Sequence, residues 1–166
     1  MHIPPLSADL RFRLLTNLAQ DISFSFDVKK AAMGPHIAQK WGWDEEYQFK
    51  VHLDHFREKP FFAIERSEEK IGTLSLLQQD GFARFGEFYI LPEGQRRGLG
   101  TRILRHILQV CDDSSLPVRL EYLKWNPVGS LYERHGFAII GETDIHWLME
   151  RPSVASAAQQ SEPVER

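Results

Sequence analysis

The chain has 166 residues, 42% of them hydrophobic and 26% charged, which suits one globular domain with a sizeable core. Its formal net charge of −3 removes any global electrostatic support for nucleic-acid binding, and a single cysteine, Cys111, excludes a disulfide framework and fits a reducing, cytoplasmic setting. No stretch is apolar for long enough to span a bilayer, and the N-terminus lacks the pattern of a signal peptide, so no membrane partner is expected.

Residues 10–15, LRFRLL, alternate apolar and basic and are expected as a short strand. From 16 to 59 the pattern is helical, with Gly34-Pro35 expected to break it in the middle. Within that stretch EEYQFKVHLDHF places Phe49, Leu53 and Phe56 on one helical face. Asp44 stands where an N-cap would, with Glu45 and Glu46 in the first turn. From 60 to 91 the period falls to two. FFAIE (61–65), IGTLSLL (71–77) and FARFGEFYIL (82–91), separated by SEEK and QQDG, predict an antiparallel meander.

A Gly-rich turn follows, then GLGTRILRHILQVCDD, a helix whose Leu99, Ile103, Leu104, Ile107, Leu108 and Cys111 form one apolar stripe. Pro117 opens the strand VRLEYL (118–123). Asn126-Pro127 begins another helix, PVGSLYERHG, that stops at Gly136. FAIIGE and TDIHWLME close the fold as two strands, giving a single domain over 1–151. The small, polar tail 152–166 is expected to be disordered. This order predicts a mixed α/β sheet flanked by helices, and a right-handed crossover makes 82–91 and 118–123 parallel.

Three phosphate-binding patterns compete for the turn LPEGQRRGLGTRIL (91–104). A P-loop requires Lys and then Ser or Thr after the final Gly, but Thr101-Arg102 follow Gly100. A dinucleotide fingerprint requires a third Gly where Ile103 stands. The third pattern, Gln/Arg-x-x-Gly-x-Gly/Ala between a strand and a helix, is met at every position by Gln95-Arg96-Arg97-Gly98-Leu99-Gly100. Its physics is coherent: Gly lets backbone N–H groups close on a pyrophosphate, the helix N-terminus adds partial positive charge, and arginines add charge-assisted bonds.

This segment resembles motif A of the GNAT family of N-acetyltransferases. Asn126-Pro127-Val128-Gly129-Ser130-Leu131-Tyr132-Glu133-Arg134-His135-Gly136-Phe137 is similar to the family's motif B and follows one helix and one strand later, at the family's spacing. The resemblance covers roughly 60–150. It implies a mixed, mostly antiparallel sheet of about six to seven strands, with a splayed parallel strand pair at the cofactor cleft. It also implies acetyl-CoA as cosubstrate and a small-molecule amine or peptide as acceptor. It allows a homodimer through the final strands.

Mapped residue by residue, the resemblance gives Phe88, Tyr89 and Ile90 as backbone partners of the pantetheine arm. Gln95, Arg96, Arg97, Gly98, Leu99, Gly100 and Thr101 form the pyrophosphate cradle. Asn126 is either a contact to the cofactor arm or a helix N-cap. Tyr132 matches the tyrosine that protonates the leaving thiolate. For the base, Glu87 lies on the meander strand, where burial would raise its pKa; the family's carboxylates often sit earlier, where this chain has Arg84, Phe85 and Gly86. A solvent-facing strand carboxylate remains the other reading of Glu87, and Glu121 is a second candidate base.

Trp41 and Trp43, followed by three acids, suit one wall of an amine-binding site, or a Trp packed beneath a loop. His52 and His55, one turn apart, have no third ligand motif and are expected on a solvated helix face, so no metal is expected. Two other classes of function compete with catalysis. A catalytically silent module would keep acyl-CoA binding alone. A small nucleic-acid binder would use Arg96, Arg97, Arg102 and Arg105, against the acidic balance of the chain.

Overall fold

A computed structural model of the chain describes residues 1–95 and 98–155. The alternating segments form strands β1 (Leu10–Leu14), β2 (Phe61–Arg66), β3 (Glu69–Gln79) and β4 (Phe82–Ile90), then β5 (Val118–Leu123), β6 (Ala138–Glu142) and β7 (His146–Arg151). The helices are α1 (Ala19–Trp41), α2 (Glu45–Glu58), α3 (Leu99–Asp113) and α4 (Gly129–Glu133), with one 3₁₀ turn at Pro92–Gly94. One mostly antiparallel sheet of seven strands, ordered β1-β2-β3-β4-β5-β7-β6, contains the expected parallel pair. That pair is β4–β5, with Ala83 opposite Val118 and Arg84 opposite Arg119.

The chain divides into two compact units: residues 1–77 with 85–102, and 78–84 with 103 onward. In the first, Phe26 on α1 packs edge-on against Phe49 of α2 at 5.2 Å, and Phe56 lies 5.1 Å from Phe61 of β2. Arg13 of β1 ties this unit together, donating to Glu65 of β2 at 2.6 Å and pairing with Asp21 of α1 at 3.4 Å. Asp21 and Glu65 are buried, and a buried carboxylate persists only where cations and N–H or O–H donors surround it.

Two helical expectations are corrected here. Gly34-Pro35 does not break the helix; α1 runs through it without interruption. Proline removes a single intrahelical N–H, and packing on both sides offsets that loss: Trp43 lies against Gly34, and Ile37 is buried. Nor do His52 and His55 share a solvated face. His52 is fully buried, with its Nε2 2.7 Å from Ser25 Oγ, while Phe49 is partly exposed. Asp44 does cap α2, its Oδ1 accepting from Tyr47 N–H at 2.9 Å.

In the second unit Ile103, Leu104, Ile107, Leu108 and Cys111 of the α3 stripe are buried, and burial pushes the Cys111 thiol up to about 11, making it a poor nucleophile. Arg151 of β7 donates both terminal nitrogens to Asp112 at 2.9 Å, and the same carboxylate accepts from Val154 N–H. Of the expected tail, Ser153 is therefore buried, and 156–166 lie outside the described residues. The helix at motif B is shorter than its sequence pattern. Asn126 Oδ1 accepts from Val128 N–H at 3.2 Å, an Asx turn ahead of α4 rather than its cap. The stop at Gly136 holds, with φ +90° and Phe137 N–H donating to the Tyr132 carbonyl. No helix among the described residues is long and apolar enough to cross a membrane.

Candidate active site

The end of β4 is fixed by β3. Leu91 N–H donates to Ile71 O at 2.7 Å, and the Tyr89 carbonyl lies so close to Gly72 that a Cβ there would come within 2.1 Å of it. Strand alternation then turns the backbone of Phe88 and Ile90 to the edge opposite β3, while Tyr89 faces β3 itself. The Ile90 carbonyl accepts from Gln95 Nε2 at 3.0 Å.

Beyond β4 the chain folds tightly back. A Cβ at Gly94 would meet Ile71 at 2.6 Å, and Arg66 Nη1 holds the Gly94 carbonyl at 3.3 Å. Gly98 has φ +77°, a left-handed conformation that suits glycine, and its carbonyl accepts the first helical bond, from Arg102 N–H at 3.0 Å. The first-turn N–H groups of α3 at Leu99, Gly100 and Thr101 precede that bond and are available to an anion. Leu99 is buried and anchors the turn, and Gly100 approaches Ile90 Cδ1. Arg96 and Arg97 lie outside the described residues. Beside the strand end is a cavity of about 320 Å³, walled by Val28, Ala31 and Ala32 of α1 and by Phe88 to Pro92 with Gln95.

Glu87 sits in β4 with φ +49°, an uncommon conformation for a residue with a side chain, and its carbonyl accepts from Thr73 Oγ1 at 2.8 Å. Its carboxylate is nearly buried, 2.9 Å from Lys59 Nζ and 3.7 Å from His55 Nδ1. The expected upward shift is overturned. Burial does press the carboxyl upward, but Lys59, with Lys29 and His55 behind it, outweighs burial and holds Glu87 below the usual carboxylate range. Lys29 itself is buried on α1, and burial lowers its pKa. His52 completes the group, burial pushing its imidazole down to about 4.

Sequence reasoning missed Lys29 and Lys59. The available signal was the spacing of four in Asp21, Ser25 and Lys29, a polar row on the buried side of α1. Trp43 packs at 6.2 Å from Phe26 beneath the α1–α2 loop, its Nε1 donating to Glu45 at 2.5 Å; Trp41 is exposed at the end of α1.

In the second unit, Tyr132 of α4 is buried against Tyr122 and Phe137 at 6.3 and 5.6 Å. Burial pushes its phenol up to about 12, so it carries its proton at neutral pH. Gly129 exists for Tyr122, whose hydroxyl would lie 2.3 Å from a Cβ there. Asn126 Oδ1 serves its Asx turn, and Glu121 is exposed on β5 opposite Leu148. No group of three or more His, Cys, Asp or Glu side chains able to hold a metal is present among the described residues.

A parallel pair in a mostly antiparallel sheet, with a glycine turn and helix N-terminus after its first strand, defines an α/β fold whose turn suits an anionic group. The sequence profile of the acetyltransferase (GNAT) domain matches residues 57–139, and the chain belongs to this family. Acetyl-CoA is the family's cosubstrate, and the Gly98 turn and the free N–H groups of α3 fit its pyrophosphate. The fold is similar to that of the PaiA N-acetyltransferase of Thermoplasma acidophilum in complex with coenzyme A (18% identity, 86% of this chain and 98% of that one, TM-score 0.64). It is also similar to the ribosomal-protein-S18-alanine N-acetyltransferase of Escherichia coli (17%, 86% and 93%, TM-score 0.61). A third similar fold is the N-acetyltransferase PseH of Campylobacter jejuni (19%, 86% and 97%, TM-score 0.58). No curated protein matches the sequence significantly.

Proposed function

We propose that the protein transfers the acetyl group of acetyl-CoA to a primary amine by direct attack, in a ternary complex. The observation that carries this reading is Tyr132, a buried phenol on the motif B helix, protonated throughout the neutral range. A module that only binds acyl-CoA would need Tyr132 for packing alone, against Tyr122 and Phe137. The first unit supplies cosubstrate contacts: the outward backbone of Phe88 and Ile90 for the pantetheine amides, and Gly98, Leu99, Gly100 and Thr101 with Arg96 and Arg97 for the pyrophosphate. Gln95, now on the Ile90 carbonyl, exchanges partners when the cosubstrate pairs there.

The chemistry balances as follows. The acceptor arrives as an ammonium and loses one proton to the ionised Glu87 carboxylate, directly or through water, and onward to solvent. The neutral nitrogen attacks the thioester carbon, the C–N bond forms, the C–S bond breaks, and the nitrogen releases its second proton. Tyr132 donates its proton to the departing thiolate and is reprotonated in turn, giving amide, free thiol and one net proton. The burial that raises the Tyr132 pKa also raises the proton affinity of a thiolate formed beside it. Trp41 and Trp43 are proposed as part of the acceptor wall.

One observation favours the silent-module reading: Glu87 is held low by Lys59 and is a weak base. Thiol release from acetyl-CoA across a panel of amines separates the two. Turnover with Tyr132→Phe reduced at least tenfold in kcat, and an unchanged Kd for acetyl-CoA, is the expected result. Binding without turnover of any amine by the wild-type protein supports the silent module instead. Equal loss of kcat and cosubstrate affinity in the variant overturns the acid assignment.

A further inference from the structure

The buried polar group under α1 and α2 is not balanced in charge. Among the described residues its buried side chains hold two ammonium groups, Lys29 and Lys59, and one carboxylate, Glu87, while the exposed carboxylate of Glu58 acts on His55 at the rim. His52 is neutral, and burial lowers His55 as well. Lys59 takes the Glu87 carboxylate at 2.9 Å. Lys29, 7% exposed, makes no hydrogen bond and no ion pair within 4.0 Å among the described residues. Burial lowers the pKa of this ammonium and the Glu87 charge only partly offsets it, so an anion that reached Lys29 would complete its compensation.

Access to the group is open on two sides. His55 is 43% exposed at its rim. Over β4, a Cβ at Gly86 would have only Lys59 Nζ within 4 Å, at 4.0 Å, so the backbone there lies beneath open space bounded by an ammonium. The strained turn at Glu87 aims its carboxylate into the same group.

We infer that the acceptor is an amine that also carries an anionic group, a carboxylate or a phosphate, which Lys29 receives while Glu87 faces the amine. The inference rests on the N-acetyl-transfer reading above and names its substrate class. Charge supports the match at the reactive stage. Once the ammonium has lost its proton, a carboxylate-bearing acceptor carries one net negative charge and a phosphate-bearing one between one and two, and either offsets the excess positive charge of the buried side chains. The same excess favours that loss, because two nearby ammonium groups oppose a third. A polyamine or a simple alkylamine would add positive charge to a site that already has too much.

Matched amine pairs test this, each pair differing only in the anionic group: β-alanine against propylamine, and O-phosphoethanolamine against ethanolamine. Thiol release by the full chain is expected to show kcat/KM at least tenfold higher for the anionic member of one pair, and which pair responds distinguishes carboxylate from phosphate. Lys29→Met is expected to raise KM for that amine at least tenfold with KM for acetyl-CoA unchanged, and Lys29→Arg to restore most of the loss; thermal unfolding verifies that both variants are folded. Equal or higher kcat/KM for the uncharged-tail amines, or no change in Lys29→Met, overturns the inference and leaves acetyl transfer standing. If no amine is acetylated, the transfer reading fails on its own. Calorimetry with β-alanine and O-phosphoethanolamine then decides the anion site: binding that Lys29→Met abolishes supports it, and no binding to wild type overturns it.

Discussion

His52 makes the stability of this protein fall in mild acid, by an amount that can be worked out. Its ring is fully buried, with Phe26, Phe56 and Phe61 around it at 5.6, 6.1 and 5.4 Å. Ser25 Oγ donates to the Ile22 carbonyl at 2.9 Å, so the 2.7 Å contact makes His52 Nε2 the donor to Ser25 and leaves Nδ1 without a partner among the described residues. Burial holds the folded imidazole at about 4, although Glu87 nearby favours protonation. In the unfolded chain the imidazole returns to about 6.5. Between those values the unfolded state binds a proton that the folded state refuses, so stability is full above pH 6.5 and is lost as pH falls toward 4. At about 1.4 kcal/mol per unit, the complete loss is about 3 kcal/mol, and about 2 kcal/mol of it falls between pH 7 and pH 5. Urea unfolding at pH 7, 6 and 5, compared with His52→Gln, isolates the contribution. The wild type should lose about 2 kcal/mol more than the variant over that range, whatever the offset between them at pH 7. Parallel pH dependences for the two proteins would refute the reasoning.

Two further predictions concern backbone. Gly72→Ala places a Cβ 2.1 Å from the Tyr89 carbonyl, so β3 and β4 must separate where the pantetheine edge begins; the cost should exceed about 4 kcal/mol, read as a large drop in thermal midpoint with loss of acetyl-CoA binding. Asp44→Ala removes the side-chain cap of α2 and should cost about 1 kcal/mol in urea unfolding with an unchanged m-value, leaving acetyl-CoA affinity intact; no change in midpoint would mean that the cap contributes nothing.

The sheet was legible because its signals are local. The period of two over 61–91 and the six-residue stripe of α3 each need only a dozen neighbouring residues to be read. The Asp44 cap and the Gly136 stop are local too. What sequence reasoning misread depended on partners distant along the chain. Pro35 reads as a break because the Trp43 packing that steadies α1 at Gly34 is tertiary. His52 reads as solvent-facing because Ser25, which receives its N–H, belongs to another helix. The pKa shift of Glu87 reads with the opposite sign for the same reason. Its own strand supplies burial, which raises the value, whereas the lysines that reverse the outcome come from α1 and from the residue that closes α2. Apolar patterning thus locates the elements, while the charge state of a buried carboxylate is set by whatever the fold brings beside it.

The left-handed backbone at Glu87 has a consequence for anyone evolving or stabilising this protein. Glycine would occupy that conformation without strain, but it would leave Lys59 buried without its 2.9 Å partner, a loss that outweighs the strain relieved. Aspartate or asparagine would shorten or neutralise the one carboxylate that, among the described residues, stands between the buried Lys29 and Lys59. The strained backbone at position 87 is therefore held in place by the ion pair it makes possible, and a library screened for heat resistance should be expected to keep glutamate there.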